Sequence, residues 1–527
     1  MRRVPGLGRT CAVASSALLV ASLSGMALAQ SHAGAAIAVV GAEAPAPAPT
    51  ITPTVAPSSP ITVTPVGSQA LAQLDLFSAG RETGFGQDLW KGSSADVARM
   101  VIPTLRDAAL SPAAAALGRD LLATASIAPE GAGNDAALAA ARASAVLALG
   151  DAEGASGILD HTPDVSSSAA LSQVAAEAAL ITGRNDKACA FGDALATDRD
   201  GIYWLRLRAF CQALAGKTDL AQLTYTLANQ QAHDPYFARL MGALLAGGAD
   251  AGDASLRDGL DYALSVQLKL DLTPALPTAS RAIAWRLASL PAAPPLAGGA
   301  VPPPPPPPAT EADVLTALRA TTNFSDYAAA AKAARPTIAQ LVELKTPLTA
   351  PVAIATAAIV ASDLSDADAI RAGLTVDGAG GVDVLDVTIL DATLAAARGR
   401  MDSSLVGRLI QLSETTDSRE RARAEAAAEL VAALSPSLDP GVRARLAALD
   451  LPAGAGPAAR LLAMEGAADG VRKGETALLA LWIAEADGGA GPTLNDRIRI
   501  ERALLKVGLG ANAQAFAVEG LAQLQAR

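Results

Sequence analysis

Two cysteines stand out in a chain with few reactive side chains. The stretch "ACAFGDALATDRDGIYWLRLRAFCQ", residues 188–212, carries Cys189 and Cys211, and the third cysteine, Cys11, lies close to the N-terminus. Two facing thiols can hold a metal, exchange electrons or cross-link. A structural zinc site takes four ligands, more than this pair offers. A redox pair favours CxxC spacing in an electropositive setting, and neither is present. The geometry of a hairpin supports the third role. Each cysteine lies about eleven residues from a turn near Asp200, which puts both at one height on antiparallel helices. Trp204, Leu207, Cys211 and Leu214 follow an i, i+3, i+7, i+10 stripe that turns Cys211 toward packed neighbours. The pair is read as a structural disulfide, Cys189 to Cys211, stabilising by roughly 3 kcal/mol in the chain-entropy account. Two inert thiols and a functional pair are the alternatives.

The remaining chemistry is sparse. There are 3 histidines: His32, His161 in "LDHTPD" and His233 in "QAHDPYF". His233 beside Asp234 has the form of a tuned base, but a helix-to-helix turn with a solvent-facing histidine and a capping aspartate is the reading preferred here. No HExxH, GxSxG or phosphate loop is found. "DGAGGVD" at 377–383 follows no strand and reads as a loop. "DLSDADAIRAGL" from Asp363 has the acid density of a calcium loop. Yet Ala367 stands where an oxygen ligand belongs, and the central glycine is missing. Asp366 is expected to cap the next helix instead. In "SRERARAEAAAEL", Arg421 and Glu425 are spaced i, i+4, as on a solvated helix face. No catalytic, cofactor-binding or metal-binding residue is assigned, and no cofactor is expected. A pair of carboxylates could still cleave glycans. No pair among the 52 acids is marked out, and 3% aromatics is little for stacking sugars.

The elements that position these residues are helical. Alanine dominates the composition, aromatics are rare and β-branched runs are scarce. Alanine is the best helix former and lets helices approach closely, but each contact then buries little area. Stability must accumulate over many helices. Helix-length segments such as "AALAAARASAVLALG", "AALSQVAAEAALITG" and "IYWLRLRAFCQALAG" end at Gly150, Gly183 and Gly216, where left-handed stops are expected. The following helices are expected to open on an Asp or Thr cap. Residues 1–29 carry Arg2, Arg3 and Arg9, an apolar stretch and Ala27-Leu28-Ala29, so a signal peptide cleaved before Gln30 is expected. No cysteine follows that site to take a lipid. Residues 30–66 alternate Ala-Pro and Thr-Pro as a disordered tether. Residues 67–290 form a first helical repeat domain and 311–527 a second. Between them, 291–310 holds Pro302 to Pro308, a polyproline spacer about 22 Å long at about 3.1 Å per residue.

The unit from Tyr203 to Pro235 resembles a tetratricopeptide repeat. Trp204 and Leu207 fall where that repeat carries the large residues of its first helix. Ala221, Tyr225 and Ala228 repeat the small-aromatic-small spacing of its second, and Pro235 falls near the closing proline. Arg208 replaces the small residue expected after Leu207. The C-terminal "RIRIERALLKVGLGANAQAFAVEGLAQL" is similar as a hairpin, with Ala513, Phe516, Ala517 and Leu521 on its second helix. "LDLFSAGRETGFGQDLWKGSSADVARMVIPTL", "WLRLRAFCQALAGKTDLA" and "ALLKVGLGANAQAFAVEGL" also resemble blocks of uncharacterised, alanine-rich exported bacterial proteins. These resemblances imply export and antiparallel helical hairpins stacked as an all-α solenoid.

Charge narrows the partners. The formal charge is −11, and a cleaved leader bearing three arginines and no acid leaves a still more acidic product. Such a chain is unsuited to nucleic acid or anionic lipid. No later stretch is long and apolar enough for a stable membrane span. The expectation is a non-enzymatic, periplasmic or secreted scaffold or adaptor for envelope proteins. A carboxylate-dependent cell-wall glycan enzyme is the alternative.

Overall fold

A computed structural model describes residues 75–289, 310–375, 381–435, 437–449 and 454–526. The signal, the tether, His32, Pro302 to Pro308 and most of "DGAGGVD" lie outside the described residues.

The chain folds into α-helices, and among the described residues extended pairing is limited to isolated bridges such as Arg81 with Thr124. Short connections join successive helices into antiparallel hairpins. They include Ala169–Ile181 with Asn185–Ala194, Ile202–Leu214 with Thr218–Gln231, and Leu494–Lys506 with Gly510–Gln525. The glycine stops form as the sequence predicts. Gly150, Gly183 and Gly216 take φ of 92°, 77° and 71°, values that side-chain-bearing residues rarely adopt. The caps only partly follow. Asp151 accepts from Gly154 N–H at 2.8 Å, but Thr218 is the first helical residue after Lys217, so its hydroxyl is past the cap position. Asp363, not Asp366, caps Leu364–Ala372, and Asp366 supplies the backbone N–H that Asp363 accepts at 3.3 Å. The first side chain able to reach back wins the cap, and Asp366 is left in the first turn.

Packing does not stop at neighbours. Helix Pro112–Ala123 lies against Lys473–Ala484 and Gly510–Gln525, and Ala95–Val101 against Lys473–Ala484. Leu117, Leu121, Leu481, Phe516 and Leu521 therefore share one hydrophobic core, although residues 291–310 separate them in sequence. A solenoid pairs each hairpin only with its neighbours. Here Ala169–Ile181 also packs against Gly259–Gln267, beyond the next hairpin, and the first and last helices close on each other.

Two buried arginines brace this core, and the second makes the closure specific. Arg142 donates from Nε to Leu122 O at 2.7 Å and from Nη2 to Ala79 O at 2.9 Å and Thr124 O at 2.8 Å. It ties the segment before the first helix to the end of Pro112–Ala123. Burial lowers its pKa to about 10, so it keeps its charge at neutral pH. Arg497 pairs with Glu519 at 2.9 Å, both fully inside, and Glu519 Oε2 accepts the N–H of Ala113 at 3.0 Å. Gly491 passes so close that a Cβ there would sit 2.3 Å from Glu519 Oε1. Removing one partner of such a pair strands a buried charge.

Candidate functional site

The structure joins Cys189 to Cys211 in a disulfide with Cα atoms 5.7 Å apart, across a separation of 22 residues. It ties Asn185–Ala194 to Ile202–Leu214, and Thr218–Gln231 packs against the latter. Trp204, Leu207 and Phe210 are buried on the inner side, with Cys211 and Leu214 half-buried against the same cluster. On the third helix Ala221 and Ala228 are fully buried, small enough to let the two helices close together. Tyr225 lies between them, its ring 6.1 Å from Phe237 and its hydroxyl donating to Ala238 O at 3.0 Å. Thr224 donates to Gln212 Oε1 at 2.8 Å and fixes the register of the hairpin.

The opposite face of the same helix is uncovered. Leu220, Leu223 and Leu227 are 51%, 69% and 50% exposed. Their i, i+3, i+7 spacing lines them up along one edge, about 130° around the helix from the inner residues at 3.6 residues per turn. The exposed residues around them, Gln222, Thr226, Gln230 and Gln231, are neutral, and Asp219 is the one charged residue within the helix. The other large exposed apolar residues, such as Met100, Leu344 and Leu462, sit on separate elements. Scattered exposed leucines are ordinary, but an aligned row in a charge-poor setting has the composition of a binding surface. The sequence carries this signal. Once Ala221, Tyr225 and Ala228 are assigned inward, the three leucines form a second stripe that a lone helical hairpin cannot bury.

The acids near this hairpin serve the fold. Asp234 caps Pro235–Leu245, accepting from Tyr236 N–H at 3.0 Å and Phe237 N–H at 3.2 Å, and pairs with Arg257 at 3.0 Å and Arg206 at 3.5 Å. Burial alone would raise its carboxyl, but the bonds from Arg257 and the helix N–H groups hold it low. Asp258 caps the next helix at Asp261 N–H, 2.8 Å away, and burial raises it. Glu177 accepts from Gly259 N–H at 2.7 Å, and burial, reinforced by the Asp258 charge, pushes it up to about 7. His233 is exposed beside its capping neighbour. His161 lies apart, with Nδ1 2.8 Å from Gly157 O.

The acids that line the two open clefts are also engaged. One open cleft of about 350 Å³ is lined by Asp368, Arg371, Asp391, Arg398 and Arg400. Both of its acids are ion-paired, Asp391 to Arg371 and Asp368 to Arg398. A second, of about 500 Å³, is lined in part by Glu465, Asp469, Arg499, Arg502 and Lys506, and Arg499 and Lys506 pair with the two acids. Arg421 does not make the expected pair with Glu425. Its guanidinium donates to Thr415 O at 3.2 Å, because the preceding turn brings that carbonyl within reach. Farther along that helix Glu429 is buried, and burial with the Glu425 charge raises it to about 7, so only the start of the helix is a solvated face. Among the described residues no group of three or more His, Cys, Asp and Glu is placed to hold a metal, and no helix is long and apolar enough to cross a membrane. The chain matches no protein-family model, no curated protein and no solved structure.

Proposed function

We propose that this chain is a non-enzymatic, exported helical-repeat scaffold of the cell envelope that docks an apolar helical segment of protein on the outer face of Thr218–Gln231. The observation that carries the reading is the row Leu220, Leu223 and Leu227, left uncovered on a helix whose inner neighbour is covalently stapled. The staple limits the ordering cost of binding, because the helix behind the docking face is already fixed. The hairpins from Ala169 to Gln231 act as a short solenoid segment that presents this face, and export supplies the oxidising setting the disulfide requires.

The test is a photo-crosslinking residue placed at Leu223 in cells, with Leu344, 66% exposed and isolated, as the control position. Adducts should form from position 223 and map to an apolar helical segment. Equal yields from both positions would remove the case for a docking face. Glu177, raised to about 7 beside Asp258, is the feature that favours a glycan-cleaving alternative, since a general acid needs such a shift. Clearing of purified peptidoglycan in a zymogram, lost in Glu177→Gln, would favour that alternative.

A further inference from the structure

Resting on the docking reading, we infer that the segment occupying this face is the same helix of a second copy, paired antiparallel about a twofold axis at Leu223. The row is self-complementary. With the axis half a residue past Leu223, the two Leu223 side chains meet within about 1.5 Å along the helix, and Leu220 of one copy falls opposite Leu227 of the other. The 3-then-4 spacing is that of a helix–helix seam, in which such side chains interdigitate. An isologous contact of this kind closes on itself, as in most soluble dimers.

Charge selects a copy of the same chain over a charged partner. A chain with formal charge −11 repels itself across most faces, so self-pairing needs a surface nearly free of acids. Thr218–Gln231 provides one, because Asp219 is its single charge. In the antiparallel register the two Asp219 carboxylates stand about 13 Å apart along the axis at 1.5 Å per residue, beyond the screening length of about 8 Å. Each falls opposite Ala228 of the other helix, between the neutral Thr226 and Gln230. The flanking Gln222, Thr226 and Gln230 carry hydroxyl and amide groups that can donate or accept, so they pair with their own kind in either direction.

The area sets the strength. A stable complex buries about 800 Å² on each partner, and three half-exposed leucines supply only part of that. The pairing is therefore weak and reversible.

Sedimentation of the mature full-length chain across a concentration series tests this. The average mass should rise toward that of a dimer, and Leu223→Asp should weaken association by at least about tenfold, because each dimer would bury two unpaired carboxylates. Leu344→Asp should leave the mass unchanged. Cross-linking fixes the register. Leu223→Cys should oxidise to a symmetric dimer. Leu220→Cys and Leu227→Cys should cross-link when mixed but not alone, since like positions lie about 10 Å apart along the axis at 1.5 Å per residue. Matching thermal melts for wild type and Leu223→Asp guard against misfolding, and Leu223→Lys serves as the second variant. A wild type that stays monomeric throughout, or a dimer that survives Leu223→Asp, overturns the inference. If the wild type is monomeric and position 223 still captures a foreign apolar helix, self-pairing fails while the docking reading stands.

Discussion

Two helices in this chain each turn a small-aromatic-small set inward, at different spacings, and meet different surroundings. Thr218–Gln231 turns Ala221, Tyr225 and Ala228 inward, and Gly510–Gln525 does the same with Ala513, Phe516 and Ala517. Each is the second helix of a hairpin. The C-terminal helix is then surrounded, packing against Pro112–Ala123, Pro351–Val360, Val384–Ala397 and Ser418–Leu434 as well as its own partner. Even Glu519 on that helix is buried, held by Arg497. Among the described residues the earlier helix packs chiefly against Ile202–Leu214 and Pro235–Leu245 and leaves three leucines in solvent. A small-aromatic-small face specifies how a hairpin closes. What covers its other side depends on the rest of the chain, or on another chain.

This contrast orders the expected effects of perturbation. Arg497→Ala should be the most damaging, because it leaves Glu519 buried without its partner and loosens the contact with Ala113. A loss of about 3–5 kcal/mol is expected from denaturant unfolding. A loss under about 1 kcal/mol would mean that the last helices are not the centre of the fold. Replacing both Cys189 and Cys211 with alanine should lower stability by roughly 3 kcal/mol. The melting temperature should drop while self-association at low temperature persists. Non-reducing peptide mass mapping should find the two residues joined and no free thiol in the native protein. Rapid alkylation of native thiols would contradict the staple.

The pH dependence compares the two regions again. Glu177, near the stapled hairpin, and Glu429, on a helix that packs on the C-terminal one, are each raised from 4.5 to about 7, in both cases chiefly by burial. A carboxyl raised in the folded state favours the fold while protonated. Its contribution is complete below about 4.5 and is lost as the pH climbs through about 7. The unfolding temperature should therefore fall between those limits, and Glu177→Gln and Glu429→Gln should each flatten part of the slope. A stability that rises across this interval would show that neither acid is buried as described. Leu223→Asp should have the smallest effect on the fold, within about 0.5 kcal/mol, since its side chain is already in water. A larger loss would mean that the leucine row packs within its own chain.

Much of this was legible in the residues. The disulfide followed from two cysteines equidistant from one turn, and the helix stops followed from Gly150, Gly183 and Gly216. The capping aspartate at Asp234 was also readable. Other features depend on contacts that no local pattern announces. The Arg497–Glu519 pair reaches the backbone of Ala113, 406 residues away from Glu519 in the chain. Nothing around Arg497 separates it from the solvated arginines of the same helix. Arg421 and Glu425 have the spacing of a pair, yet a nearer carbonyl at Thr415 satisfies the arginine. The leucine row was visible in principle. The aromatic and alanine positions on the same helix already account for a packed face, so nothing in the local pattern calls for a second one.

The central claim is that the outer face of Thr218–Gln231 is covered when the protein is at work. Hydroxyl-radical footprinting in intact cells, set against dilute purified protein, measures that directly. Leu220, Leu223 and Leu227 should be oxidised several-fold less in cells than in dilute solution, while Leu344 and Leu462, equally open on other elements, should label alike in both. Equal labelling of the three leucines in the two settings would contradict the account.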